Sequence, residues 1–141
     1  MLKLRTGDAI GVVRPQALAL VIDDSDHTRE VYAFMLRLEG FTVEQARNGH
    51  EGVERAVELL PDIIITDLSM PVMDGWETIR RLRADERIRR IPIIACSGYD
   101  DAISPDATGA QTAADAVLPK PCPLDRLMLN VRRLLRRDAA A

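Results

Sequence analysis

Five polar residues of this chain each follow an apolar run, and their side chains could act together chemically. Asp23 and Asp24 come directly after ALALVI, and Asp67 comes after IIIT. Ser97 follows IPIIAC, and Lys120 is among the first residues after AVL. A single aspartate that ends a strand is more often a cap or turn residue than a reactive one. Five such coincidences indicate instead that these residues form one site.

The chemistry that suits this set of side chains is phosphoryl transfer beside a divalent cation. Close carboxylates repel one another unless a cation neutralises them, and oxygen-rich sites with room for water suit Mg²⁺. A lysine ammonium and a serine hydroxyl could both contact the oxygens of a phosphoryl group. The carboxylate of Asp67 could be the nucleophile, because aspartate forms covalent phosphate intermediates in some enzymes. The sequence therefore predicts a Mg²⁺-dependent phosphate site.

The apolar runs alternate with segments of helical periodicity. Strands are predicted at 17–22, 41–46, 62–66, 91–96 and 116–118, and helices at about 26–38, 50–60, 75–84 and 124–137. This alternation predicts an α/β fold with a parallel sheet that is covered by helices on both faces. Parallel strands bring their carboxyl ends to one edge of the sheet, where ligands bind in such folds. We expect the five polar residues to meet at that edge.

Three helical segments carry more specific expectations. An apolar stripe of the first helix is expected to face the core, and arginines of the third helix are expected on a solvated face. The stripe consists of Val31, Phe34, Met35 and Leu38, and the arginines are Arg80, Arg81 and Arg83. The segment 99–115 contains Pro105 and Gly109, which are poor helix formers, so we expect a short or irregular helix there.

Length and composition limit the class of protein. The chain has 141 residues, of which 47% are hydrophobic, enough for one domain with a single core. A net charge of −3 argues against general nucleic-acid binding through bulk electrostatics. No apolar run reaches the roughly 18 residues of a membrane span, and no signal peptide is evident, so we expect a cytoplasmic protein. Cys96 and Cys122 lack the spacing of a zinc site or disulfide framework and are expected to be buried thiols.

These motifs together resemble the receiver domain of two-component response regulators. The resemblance rests on Asp23-Asp24 after the first strand, on DLSMPVMDG, which begins at Asp67, on Ser97 after the fourth strand and on Lys120-Pro121 after the fifth. It covers residues 17–137. It implies a flavodoxin-like, doubly wound fold with five parallel strands in the order 2-1-3-4-5 and helices on both faces.

The resemblance also implies how the site works. Asp67 would accept a phosphoryl group from a phosphohistidine on a sensor histidine kinase or a histidine phosphotransfer protein. Mg²⁺ would be bound by Asp24, Asp67 and the backbone carbonyl of Ser69, and Asp23 would hold the ion through water. Such a domain assists its own phosphorylation and dephosphorylation but is a signalling domain and not an enzyme.

Two further residues have roles that the resemblance implies. Lys120 would pair with the phosphoryl group, and the Lys120-Pro121 peptide would be cis. Ser97 would turn toward the phosphoryl group, and this movement would shift the loop and the segment that follow the fourth strand.

The chain departs from the family pattern outside the proposed phosphate pocket. Val117 stands where many receivers have an aromatic residue that changes rotamer during the switch. Cys122 stands where phenylalanine is frequent, and Ala113 stands where glycine is common. We therefore expect an intact phosphorylation pocket beside an atypical output face.

We expect residues 1–16 to form an amino-terminal extension, residues 17–138 the receiver domain and residues 139–141 a short tail. Because few residues follow Arg137, we expect a stand-alone receiver that signals by phosphorylation-dependent binding of a downstream protein. Direct DNA binding and membrane association are not expected. The protein should be a monomer or a weak homodimer.

Two other functions are compatible with parts of this pattern. A pseudo-receiver would act as an interaction module without phosphorylation, but the complete set of pocket residues disfavours it. A phosphatase with an aspartyl-phosphate intermediate would usually have a second aspartate two residues after the nucleophile, where this chain has Ser69.

Overall fold

The computed structural model describes residues 17–70, 73–98 and 113–140, with side chains as far as Arg136. The predicted extension at 1–16 and most of the predicted irregular helix at 99–115 lie outside the described residues. The strands are β1 Leu18–Ile22, β2 Thr42–Ala46, β3 Ile63–Asp67, β4 Ile93–Ser97 and β5 Ala116–Pro119. The helices are α1 Asp26–Leu38, α2 Gly49–Leu59, α3 Gly75–Ala84 and α4 Leu124–Ala140. Among the described residues, none of these helices has the length and apolarity that a membrane crossing requires.

The five strands form one parallel sheet in the order β2-β1-β3-β4-β5, which confirms the predicted α/β fold class. The register places Ile22 beside Thr66 and Asp67 beside Cys96. The central strands therefore end at nearly the same level. Because of this alignment, the polar residues that follow or end the strands lie along a single edge of the sheet.

Helices cover the sheet on both faces. In β1, Ala19 and Val21 pack into the core layer beneath α1 and α4, whereas Leu20 and Ile22 pack into the layer beneath α2 and α3. The isoleucines of β3 alternate between the same two layers and are all buried. Such runs of apolar residues suit strands that are covered on both sides, since neither face of the strand contacts water.

Helix α1 buries a different face from the one that the sequence predicts. Its buried residues are Arg29, Tyr32, Ala33 and Leu36. In contrast, Val31, Phe34 and Leu38 are 39%, 62% and 67% exposed. Both sets follow steps of three and four residues, so the helical period does not distinguish them. The prediction was wrong for Val31, Phe34 and Leu38, whereas Met35 is partly buried against the core. The stripe that is fully buried includes an arginine and an alanine and is the less apolar of the two.

Arg83 is also placed differently from the prediction. Its side chain is only 21% exposed and its guanidinium donates to Asp115 Oδ2 at 2.7 Å. It also donates at 2.7 Å to the backbone carbonyls of Ala113, Arg89 and Ile91. These contacts join α3 to the chain before β4 and β5. Arg80 and Arg81 do lie on an exposed face, where both pair with Glu77.

Replacing Arg83 by methionine should lower the free energy of unfolding by about 2 kcal/mol, because partly buried acceptors lose a charged donor. The matched control is Arg81→Met, which removes only an exposed ion pair and should leave the stability almost unchanged. Urea unfolding followed by circular dichroism measures both variants. Equal losses in the two variants would show that Arg83 is an ordinary surface residue.

Candidate functional site

Three carboxylates meet at the carboxyl edge of the sheet. One oxygen of each of Asp23, Asp24 and Asp67 lies within 4.8 Å of the corresponding oxygens of the other two. Asp23 is 1% exposed and Asp67 is 3% exposed, whereas Asp24 is exposed to solvent. The convergence that the sequence predicts is therefore present, with two acids inside the protein and one at its surface.

The loop after β3 fixes the carboxylate of Asp67. The amide of Ser69 donates to Asp67 Oδ1 at 3.2 Å, and the amide of Leu68 donates to the carbonyl of Cys96 at 3.0 Å. Gly75, which begins α3, lies against this loop. A Cβ atom on Gly75 would be 2.3 Å from the carbonyl oxygen of Asp67, so only glycine permits this close approach.

The loop between β1 and α1 presents the other two acids. The amide of Ser25 donates to Asp23 Oδ1 at 2.8 Å, while the Ser25 hydroxyl caps α1 by accepting from the amide of Thr28 at 3.2 Å. The amide of Asp23 donates to the carbonyl of Ala46 on β2 at 3.1 Å. This arrangement directs Asp23 inward, and the next residue, Asp24, stands at the rim.

Lys120 completes the cluster from the other side. Its Nζ lies 2.5 Å from Asp67 Oδ1 and 4.0 Å from Asp23 Oδ2. The Lys120 amide donates to the carbonyl of Ser97 at 2.8 Å, which ties the end of β5 to the end of β4. The Lys120-Pro121 peptide is cis, which confirms the expectation from the resemblance.

Ser97 lies at the end of β4 and is 6% exposed. Its hydroxyl donates to the carbonyl of Gly98 at 2.9 Å and not to the carboxylate of Asp67. A hydroxyl can rotate about its Cα–Cβ bond between staggered positions, so this donor is available to a new acceptor that forms beside Asp67.

Burial dominates the electrostatics of the acids. It raises the pKa of Asp23 to about 6, and the negative charge of Asp67 adds to this effect, although the hydrogen bond from Ser25 opposes it. Burial also raises the pKa of Asp67, although the hydrogen bond from Lys120 opposes that shift. The pKa of Lys120 is raised because the contact with Asp67 outweighs the effect of its own burial. The site thus holds more negative charge than its single ammonium can neutralise.

The donor set fits a hard divalent cation. Mg²⁺ prefers carboxylate and carbonyl oxygens and commonly keeps several waters. Asp23 Oδ2 is buried and has no hydrogen-bond partner among the described residues, so an oxygen remains free to face a cation or its water. Asp23, Asp24 and Asp67 could hold the ion. The carbonyl of Ser69 belongs to the same loop as Asp67, and its part as a fourth ligand stays a prediction.

Comparison with known proteins identifies the family. A family model described as the response regulator receiver domain matches residues 19–132, which is most of the chain. The chain belongs to this family. Receiver domains are the phosphorylated modules of two-component systems, and they bind Mg²⁺ in an acidic pocket.

Three relatives of known name match most of this chain. The chain is 36% identical to the DNA-binding dual master transcriptional regulator RpaA of Synechocystis sp., 38% identical to response regulator MprA of Mycobacterium ulcerans and 37% identical to the transcriptional regulatory protein PrrA of Mycobacterium leprae. The matches cover 84%, 84% and 92% of this chain and 48%, 50% and 54% of those proteins, respectively. The chain therefore spans about half the length of these relatives.

These relatives correct one expectation. The absence of direct DNA binding was expected from the net charge and from the few residues after Arg137. That expectation is wrong for the proteins to which this receiver is related, because one of them is named as a DNA-binding regulator and another as a transcriptional regulator. The surface charge of a receiver is not informative about DNA binding when a separate part of the protein binds DNA.

Two solved structures resemble this receiver across nearly their whole length. Chemotaxis protein CheY4 of Vibrio cholerae has a TM-score of 0.75 and 30% identity, with 84% of this chain and 98% of that chain covered. The receiver domain of sensor histidine kinase PA1611 from Pseudomonas aeruginosa also has a TM-score of 0.75 and 30% identity, with 85% and 98% covered. The PA1611 receiver has a magnesium ion coordinated in its active-site cleft.

Val117 and Cys122 are two of the residues at which this receiver departs from the family pattern. Val117 on β5 is 39% exposed, so the position where many receivers have an aromatic residue is at the surface. Cys122 is half-buried at a groove that Lys120, His27 and Tyr32 also line. Cys96 is fully buried, as expected. Trp76, the second residue of α3, is 5% exposed.

Asp23→Asn should stabilise this receiver at neutral pH in the absence of Mg²⁺. The ordinary aspartate pKa is 3.8 and the pKa of Asp23 is about 6, so the folded protein holds a proton that the unfolded chain releases between these values. Stability is therefore lost as the pH rises through this window, by on the order of 2 kcal/mol, and an asparagine avoids the loss.

The measurement is urea unfolding of both proteins with EDTA at about pH 4 and above about pH 7. The gain from Asp23→Asn should be absent at the lower pH and present at the higher pH. A gain that grows as the pH falls would contradict the assigned environment of Asp23.

Proposed function

We propose that this chain is a phosphoacceptor receiver in which Asp67 takes a phosphoryl group from a phosphohistidine. The observation that carries the proposal is the contact of Lys120 Nζ with Asp67 Oδ1 at 2.5 Å, within a cluster of three carboxylates. An ammonium and a cation site on either side of one carboxylate suit a group that bears several negatively charged oxygens. A purely structural ion pair would not require the two further acids.

The proposed transfer moves one phosphoryl group between two side chains. An oxygen of the Asp67 carboxylate bonds to phosphorus, the phosphorus–nitrogen bond of the phosphohistidine breaks, and the imidazole nitrogen keeps the electron pair. Such a transfer has a loose transition state and depends mainly on position and charge neutralisation. Lys120 supplies positive charge to the equatorial oxygens. Mg²⁺ bound by Asp24, Asp67 and the Ser69 carbonyl, and by Asp23 through water, would neutralise the remaining negative charge.

The proposed switch begins with Ser97. A phosphoryl group on Asp67 adds about 1.5 to 2 negative charges and three acceptor oxygens to a pocket that is largely buried. The Ser97 hydroxyl would leave the carbonyl of Gly98 and donate to the new group. Because Ser97 ends β4 and its carbonyl accepts from Lys120, this movement would reach the loops that follow β4 and β5.

The signal would leave this domain through phosphorylation-dependent contacts with protein. The relatives named as transcriptional regulators make control of transcription the proposed output of a protein that carries this receiver. No feature of the described residues favours a pseudo-receiver, since none of the pocket side chains is replaced. The domain bounds of 17–138 and a cytoplasmic location remain predictions.

Asp67→Asn should abolish phosphorylation by acetyl phosphate with Mg²⁺, because an amide oxygen is a much weaker nucleophile than a carboxylate. Intact-mass spectrometry should show one added phosphoryl group on the wild type and none on the variant. The control is Asp62→Asn, which changes an aspartate at the opposite end of β3 and should be phosphorylated like the wild type. Acid-labile phosphate on Asp67→Asn would disprove the assignment of the phosphoacceptor.

Lys120→Ala should leave Mg²⁺ binding largely in place but separate phosphorylation from the conformational response. The acids remain in this variant, whereas the group that joins the phosphoryl oxygens to the end of β5 is lost. Trp76 fluorescence and amide hydrogen exchange, recorded with Mg²⁺ and beryllofluoride, measure the response. An unchanged response in the variant would show that Lys120 does not transmit the signal.

A further inference from the structure

Arg29 is a charged residue with an unusual position. It lies on the buried face of α1 and is only 7% exposed. Burying a guanidinium removes its hydration, a cost that is offset only when several acceptors replace the water. The acceptors that surround the guanidinium therefore indicate the role of this buried arginine.

The guanidinium of Arg29 joins three parts of the chain. Its Nη1 donates to the backbone carbonyl of Asp23 at 2.9 Å, and this contact is buried. Its Nε donates to the side-chain oxygen of Gln45 on β2 at 3.0 Å. Its Nη2 donates to Asp26 Oδ1, at the start of α1, at 2.5 Å. One planar group thus fixes the end of β1 relative to β2 and α1.

The acceptor on Asp23 is the part of this network that bears on the site. The carbonyl of Asp23 belongs to the peptide that links Asp23 to Asp24, and a rotation of that peptide would move both carboxylates. Asp23 is also held by the hydrogen bond from its amide to the carbonyl of Ala46, by the bond from the Ser25 amide to its carboxylate and by the contact with Lys120 at 4.0 Å. Arg29 contacts neither the carboxylate of Asp23 nor that of Asp67, so its effect on the position of the acids passes through the backbone.

We propose that Arg29 is a positioning residue that holds the Asp23-Asp24 peptide in the orientation needed for Mg²⁺. This inference rests on the proposed function, because it assumes that the acids bind the ion. Groups behind metal ligands typically change metal affinity by 10 to 100-fold when they are lost. The charge of Arg29 acts in the opposite direction, since a nearby cation repels Mg²⁺. Position and charge therefore predict opposite signs for the effect of removing Arg29.

The test measures Mg²⁺ dissociation constants by isothermal titration calorimetry for the wild type, Arg29→Met and Arg29→Lys. Arg29→Met should bind Mg²⁺ about tenfold more weakly. Arg29→Lys keeps the charge but cannot contact all three acceptors, so it should also bind more weakly than the wild type. The matched control is Arg55→Met, which removes an arginine that pairs with Glu44 away from the acids and should leave the affinity unchanged.

A second measurement distinguishes a positioning role of Arg29 from a general loss of folding or reactivity. With acetyl phosphate as donor, Arg29→Met should need more Mg²⁺ for half-maximal phosphorylation, while its rate at saturating Mg²⁺ should return to within about threefold of the wild type. If Arg29→Met does not fold, Gln45→Leu removes one acceptor of the same guanidinium and should weaken Mg²⁺ binding by a few fold.

The outcomes distinguish the inference from the proposed function. Wild-type affinity or tighter binding in Arg29→Met, with Mg²⁺ binding to the wild type intact, would overturn the role of Arg29 alone. If Arg29→Met does not fold, unchanged affinity in Gln45→Leu would do the same. A wild-type protein that does not bind Mg²⁺ would overturn the proposed function and this inference with it.

Discussion

Repulsion among buried carboxylates is the constraint on which the rest of this structure depends. Asp23 and Asp67 are almost completely buried within reach of each other and of Asp24, and Lys120 offers one positive charge against the three acids. Burial raises the pKa values of Asp23 and Asp67, and the negative charge of the neighbouring acids adds to this effect. A site of this kind costs free energy in the folded protein, and a bound cation or a protonated acid relieves it. Affinity for a divalent cation follows from the same imbalance.

The fold supplies the rigidity that such a site requires. The register of the parallel sheet brings the ends of β1, β3 and β4 to one level. The first residues of α1 and α3 then fix the loops that follow β1 and β3. Ser25 caps α1 directly after the paired acids, and Gly75 lets α3 begin against the backbone of Asp67. Arg29 adds a third restraint from behind the acids. The strand register, the starts of α1 and α3 and the contacts of Arg29 therefore fix the site geometry together.

The sequence predicts the fold class and the convergence of the acids because strand ends leave a local pattern, an apolar run followed by a polar residue. It does not predict the buried face of α1, since two stripes share the helical period and the less apolar one faces the core. Arg83 was not recognised because three of its acceptors are backbone carbonyls, which leave no mark on the sequence around an arginine. Arg29 was not recognised because its acceptors include the backbone carbonyl of Asp23 and the side chain of Gln45 on another strand. The link of the relatives to DNA could not be read from the charge of the receiver.

The most direct test of the central claim is a crystal structure of the protein with Mg²⁺ and beryllofluoride, a stand-in for the phosphoryl group. Beryllium should be bonded to an oxygen of Asp67, Mg²⁺ should lie among Asp23, Asp24 and Asp67, and Lys120 should contact fluorine. Beryllofluoride on another residue, or Mg²⁺ bound away from these acids, would contradict this claim.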